Sequence, residues 1–209
     1  MLNRLYEKPI HLGGLEAFKS HGYPGTAHGQ EQARDFALIS ELPPLLRTLL
    51  VTDGTVTRSL EAFFWEPVEV QQVALSSIVS AHDIPWVEAE VGEQLLLREV
   101  KLVGTNSYNV YASAYSVVRL ERVPSTMRAG LESGGIGIGV LIRNSGLESY
   151  RELLDVGDTN DMGFGMEEPA PEHLESSEIV YRTYRICLGN QPAILVTEKF
   201  PKDLYRANS

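Results

Sequence analysis

The sequence predicts an α+β fold built on a single antiparallel β-sheet of about six strands, and three features of the chain predict it. From Val68 onward, the stretches 68–79, 94–103, 109–120, 149–156, 178–188 and 193–200 are enriched in Val, Ile, Thr and Tyr, the residues that suit a pleated, half-buried surface. Two connections, Gly104-Thr105-Asn106-Ser107 and Gly189-Asn190-Gln191-Pro192, consist of residues that accept the backbone angles of tight hairpin turns. Helical spacing is confined to a few short segments, so the strands follow one another with few crossovers and pair antiparallel.

Taken in order, residues 1–39 are expected to form a weakly ordered extension, because Gly13, Gly14, Gly22, Pro24, Gly25 and Gly29 break any period. The domain then runs from 40 to 209. Pro44 stands where a first helical turn favours proline, and Leu45, Leu46, Leu49 and Leu50 continue with helical spacing until Asp53 and Gly54 interrupt. Val56, Leu60, Phe63 and Phe64 then mark one face of a second helix, which Glu66-Pro67 ends. The adjoining aromatics Phe63, Phe64 and Trp65 are expected to pack in the core, with a ligand-pocket wall as the alternative. Pro124 to Leu131 predicts a short crossover helix, and Asp158 to Ser177, with six acidic residues and few aliphatics, a mobile excursion.

Composition excludes several classes of function. No apolar run approaches the roughly 18 residues of a membrane span, and Glu7, Lys8 and His11 break up any signal-peptide core. A cytoplasmic protein is the expectation. A formal net charge of -10 without a basic stripe speaks against nucleic acid. Cys187 is the single cysteine and the five histidines are scattered, so neither a disulfide nor a metal site is expected. The run Gly134-Gly135-Ile136-Gly137-Ile138-Gly139 lacks the G-x-G-x-x-G spacing and βαβ context of a dinucleotide loop. It supports a loop whose backbone approaches something closely.

Side chains alternate along a strand, and this alternation places two charges in apolar rows. Arg98 shares a face with Leu96, Val100 and Leu102, and Glu198 shares one with Ile194, Val196 and Phe200. Removing either charge from water costs several kcal/mol without compensation. An Arg98–Glu198 ion pair, or strand ends that reach solvent, would account for both; a charged pocket is the functional account. Arg185, aligned with Ile179, Tyr181, Thr183 and Cys187, or Arg182, aligned with Val180, Tyr184 and Ile186, could add a cation to such a pocket, with a solvated sheet face as the plainer reading.

The segments Leu42-Pro43-Pro44-Leu45-Leu46-Arg47, Asp53-Gly54-Thr55-Val56-Thr57-Arg58, Leu97-Arg98-Glu99 and Gln191-Pro192-Ala193-Ile194-Leu195-Val196-Thr197-Glu198 resemble the chorismate pyruvate-lyase family, and within it the 4-hydroxybenzoate synthases of cyanobacteria and mycobacteria. The resemblance spans about residues 40 to 206. It implies an antiparallel sheet with helical flaps over a buried pocket, and an enzyme that converts chorismate to 4-hydroxybenzoate and pyruvate without a cofactor, at the entry to quinone or phenolic biosynthesis. By the same resemblance, Arg98 pairs with the ring carboxylate and Glu198 contacts the ring hydroxyl. Ile138, before Gly139, offers a backbone contact to the ligand carboxylate, and Val56 packs on the ring, where relatives carry a different hydrophobe. Gly137 stands where other members carry proline.

The expected partner is therefore chorismate alone, with no nucleic acid and no membrane, and the expected state a monomer. Two further readings share the fold. One is a small-ligand-binding domain like the effector domains of GntR-type regulators, against which stands the lack of a helix-turn-helix before residue 40. The other is a lyase that gives a different hydroxybenzoate isomer.

Overall fold

The computed structural model describes residues 39–159 and 178–206. The expected extension therefore lies outside the described residues except for Ile39, and the acidic excursion except for Asp158 and Thr159. Ile39 is buried in the core, so the packed domain includes the last residue assigned to the extension.

The described chain opens on a helical turn at 39–41, and two helices follow, α1 (Pro44–Val51) and α2 (Val56–Phe64). Three strands follow, β1 (Val68–Val79), β2 (Gln94–Gly104) and β3 (Val110–Arg119), and then helices α3 (Ser125–Ser133) and α4 (Ile138–Ser145). The strands β4 (Ser149–Thr159), β5 (Ile179–Leu188) and β6 (Gln191–Pro201) complete the sheet, and a short helix α5 (Lys202–Arg206) follows. The six strands form one sheet in the order β1-β2-β3-β6-β5-β4, with every neighbouring pair antiparallel. The sheet expected from composition is thus the sheet observed.

Three local expectations are corrected. The glycine-rich segment does not stay a loop: after Gly137 it enters α4, because Leu141 and Ile142 bury against α3 and offset the low helix propensity of Gly139. Strand β4 runs on to Thr159, with Asp158 opposite Val180, so the first two residues assigned to the excursion belong to the sheet. The aromatic cluster is split. Phe64 stacks on Tyr111 at 3.9 Å between ring centroids, whereas Trp65, in a left-handed conformation with φ 56° at the end of α2, is 89% exposed. Helical spacing places Phe64 inside, but the chain reversal after it turns Trp65 outward.

The β5–β6 connection is a two-residue turn. Gly189 and Asn190 both have positive φ, 55° and 63°, as a type I′ hairpin requires. Pro192, lacking an amide hydrogen, is tolerated in β6 because the ladder to β3 reaches only as far as Ile194.

Two apolar clusters lie on one face of the sheet. One gathers α1, α2 and α5 around Leu46, Leu49, Leu60, Leu102 and Phe200. The other gathers α3 and α4 around Leu96, Met127, Leu131, Leu141 and Ile194. Each fully buried leucine of this kind contributes roughly 1.5–3 kcal/mol. The opposite face carries a third cluster, where the segment 80–93 lays Trp86 and Val87 over Leu97, Tyr115 and Leu195. Arg119 ties that segment down through Glu93 (2.8 and 2.5 Å) and the carbonyl of Glu88 (2.6 Å).

Candidate active site

Between the two clusters of the first face, the sheet and its helical covers leave a cavity. Its floor is Arg98, Val100 and Leu102 of β2, Ala114 and Ser116 of β3, Val196 and Glu198 of β6, Tyr184 of β5 and Arg151 of β4. Its roof is the α1–α2 connection with Val56 and the start of α4 with Gly137, Ile138 and Gly139. The two covers meet there: a Cβ on Gly139 would lie 3.0 Å from Thr55 Oγ1, so α4 approaches the α1–α2 connection as closely as glycine allows.

Arg98 is 2% exposed. Its Nη2 donates to the carbonyls of Gly134 (2.7 Å) and Ile136 (2.8 Å), which explains why this segment must bring its backbone close. Gly134 makes the wrap with φ 76°. Among the described residues no carboxylate pairs with Arg98, and its Nε has no hydrogen-bond partner. Burial pushes the guanidinium down to about 10, so it remains a cation at neutral pH.

Glu198 and Arg98 share the cavity but do not form an ion pair with each other. Glu198 lies opposite Arg182 in the β5–β6 ladder. Its Oε2 accepts from Arg182 Nε at 2.7 Å and its Oε1 from the Tyr184 hydroxyl at 3.1 Å. Burial pulls Arg182 down, but Glu198 and Tyr184 together outweigh this and raise it overall. Burial, followed by the charge of Glu198, pushes the Tyr184 hydroxyl well above its ordinary value. Each carboxylate oxygen of Glu198 retains a further lone pair for a ligand hydroxyl.

Val56 and Ile138 are the first residues of α2 and α4, and neither helix has a side-chain cap. First-turn amides have no intrahelical acceptor, so both helix starts bring partial positive charge to the roof. Two guanidinium groups line the cavity, Arg98 and Arg151, against the single carboxylate of Glu198, which Arg182 already pairs from outside the lining. The arrangement can hold a small anion, with an aromatic-sized apolar body against Val56, Val100 and Val196.

Of the six residues singled out in the sequence, the structure brings Arg98, Glu198, Val56, Ile138 and Gly139 together at this cavity. Arg185 lies elsewhere: it is opposite Leu195, on the other face of the sheet, bonded to Glu152 at 2.6 Å and 3.6 Å from Glu88. Strand parity separates it from Arg182, which shares the cavity's face of the sheet but reaches the cavity only through its ion pair with Glu198. Arg151, Tyr184 and Ser116 were not anticipated. Tyr184 shares its face with Arg182, a parity legible in the sequence, whereas Arg151 depends on the pairing of β4 with β5.

The fold and cavity define a class: an antiparallel-sheet domain that encloses, under two helical covers, a pocket with an excess of positive charge. The chain belongs to the family described as chorismate pyruvate-lyase Rv2949c-like, whose model matches residues 50–208. It is 28% identical over 168 residues to the chorismate pyruvate-lyase of Mycobacterium leprae (strain TN), across 80% of this chain and 79% of that one. To the chorismate pyruvate-lyase of Mycobacterium tuberculosis (strain CDC 1551 / Oshkosh) it is 26% identical, across 77% and 81%. Among solved structures, PhnF from Mycobacterium smegmatis superposes with a TM-score of 0.54 at 12% identity, over 73% of this chain and 66% of that one. The effector domain of PhnF alone gives 0.52 at 13% identity, over 72% and 90%. At such identities these two likenesses show the fold alone.

Proposed function

We propose that the protein is a chorismate pyruvate-lyase that releases 4-hydroxybenzoate and pyruvate. The observation that carries the reading is Arg98, a buried cation without a carboxylate partner among the described residues, in a cavity shared with Glu198 in a chain of this family. A charge kept dry without compensation costs stability, and a ligand carboxylate supplies what the fold withholds.

In this reading the ring carboxylate of chorismate sits on Arg98 and the amide of Ile138, the ring packs on Val56, and the ring hydroxyl donates to Glu198. The hydrogen on the hydroxyl-bearing carbon leaves as a proton, and its electron pair completes the aromatic ring. The adjacent carbon–oxygen bond breaks, and the enolpyruvyl group takes up a proton at its methylene to become pyruvate. Atoms and electrons balance without an oxidant or reductant. Because aromatisation drives the step, orientation and a dry, charge-matched site are what the protein must supply.

Incubation with chorismate followed by chromatography is the test. Equal amounts of pyruvate and 4-hydroxybenzoate are expected; 3-hydroxybenzoate would change the product assignment. Unconsumed chorismate in the presence of folded protein would replace this reading with the ligand-binding one.

A further inference from the structure

Arg151 is a cavity residue that the roles above leave unused. It sits on β4 at one edge of the sheet, whereas Arg98 sits on β2; in the strand order three strands, β3, β6 and β5, separate them. The two cations therefore flank the cavity from opposite sides. Arg151 has no carboxylate partner among the described residues: the neighbouring Glu152 is taken by Arg185. Instead, Arg151 Nη1 donates to the carbonyl of Asp53, and its Nε is buried without an acceptor. One residue earlier in the same α1–α2 connection, the carbonyl of Thr52 accepts from Arg182 Nη1 at 3.1 Å, and Arg182 Nη2 is likewise buried without an acceptor.

Two guanidinium groups thus grip consecutive carbonyls of the roof, and each retains a buried donor with nothing to bond. A lone carbonyl satisfies one donor of a five-donor fork, whereas a carboxylate satisfies two at once and brings the charge that Arg151 lacks. Arg182 has its counter-ion in Glu198, so the uncompensated charge on this side is that of Arg151.

We propose that Arg151 forms a second carboxylate site at the β4 edge of the cavity and selects ligands carrying two carboxylates, one on the ring and one on an ether side arm. The site rests on the functional reading above, where the enolpyruvyl group carries the second carboxylate. It discriminates substrate from product: the dianion engages both ends of the cavity, whereas the hydroxybenzoate product engages only Arg98.

Two unreactive probes test the site without relying on turnover. 3-(Carboxymethoxy)benzoate carries both carboxylates, and 3-methoxybenzoate only the one on the ring. Calorimetry on the parent protein is expected to show tighter binding of the dianion. In Arg151→Gln that preference falls about tenfold or more, the scale of one charge-assisted pair, while 3-methoxybenzoate binds within about twofold of the parent, which also shows that the variant is folded. Arg151→Lys regains part of the preference. A preference unchanged in Arg151→Gln, or an equal loss for both probes, overturns the site, as does a parent that binds neither. Kinetics separates this outcome from a failure of the functional reading: if the parent converts chorismate and Arg151→Gln does so with unchanged KM, only the second site falls. If the parent converts no chorismate yet shows the Arg151-dependent preference, the site stands and the lyase assignment falls.

Discussion

Arg98 and Glu198 are both buried charges, yet their environments assign them opposite relations to stability. Burial holds Arg98 down at about 10, well below its exposed value, on the order of 3 kcal/mol of unfavourable environment. Because a cation whose value is lowered by folding destabilises the fold at every pH below that value, the cost is present throughout the neutral range. Arg98→Met is therefore expected to abolish chorismate turnover while leaving the ligand-free protein at least as stable in urea, to within about 1 kcal/mol. Glu198 compensates Arg182, itself only 2% exposed. Glu198→Gln removes a buried counter-ion and is expected to cost about 3 kcal/mol in the same urea titration, besides ending turnover. If both variants unfolded alike, the division between an uncompensated ligand-binding cation and a structural ion pair would be wrong.

At the scale of elements, the β2–β3 hairpin shows how a turn is held by a residue far from it. Glu66 accepts from the amides of Asn106 (2.8 Å) and Ser107 (3.0 Å) and from the Tyr111 hydroxyl. The Tyr111 bond first, then that of Ser107, holds its carboxyl down at about 2, against an ordinary 4.5. A carboxylate lowered by folding stabilises above its unfolded value and loses that contribution as pH falls through its folded one, so the window is pH 4.5 to 2. Glu66→Gln is expected to lower Tm at pH 7 and to flatten the decline of Tm across that window. In the cover, Gly134→Ala forces a side chain into a left-handed position and against Gln72, at a cost of about 1 kcal/mol or more. It also displaces a carbonyl that Arg98 uses, so KM for chorismate should rise while the sheet survives. These elements differ in how openly the sequence announces them. Strands and their faces follow from period-2 patterning, which is why Arg98 and Glu198 could be picked as cations and anions in apolar rows. The partner of Glu198 could not. An unbroken ladder from Leu188 and Gln191 would set Tyr181 opposite Glu198; the irregularity between Ile186 and Cys187 shifts the register by one and sets Arg182 there. A one-residue slip exchanges the faces of a strand, and nothing local in the chain announces it. Helix α4 was hidden for a related reason: its stability comes from burial against α3 rather than from its own glycine-containing sequence.

Across the whole molecule, the sheet is a shelf carrying two separately packed helical covers, α1–α2 with α5 and α3–α4, each over its own apolar cluster. The cavity lies at their seam, where Gly139 meets Thr55. The positive groups come from the shelf and both covers, in a chain whose formal net charge is -10, so the charge complementarity is local and does not reflect the composition. A ligand bound to Arg98, the start of α4, Val56 and the α1–α2 connection would join the two covers to the shelf and to each other. Binding to the folded state alone stabilises by about 2.7 kcal/mol at roughly 100 times Kd, and the seam is where that stabilisation should register locally. Hydrogen exchange with saturating 4-hydroxybenzoate is accordingly expected to slow residues 52–57 and 134–141 together, and to leave segment 80–93 on the opposite face at its ligand-free rate. Protection of one cover without the other would mean that the ligand sits under a single flap rather than at the seam, and protection confined to 80–93 would move the site to the other side of the sheet.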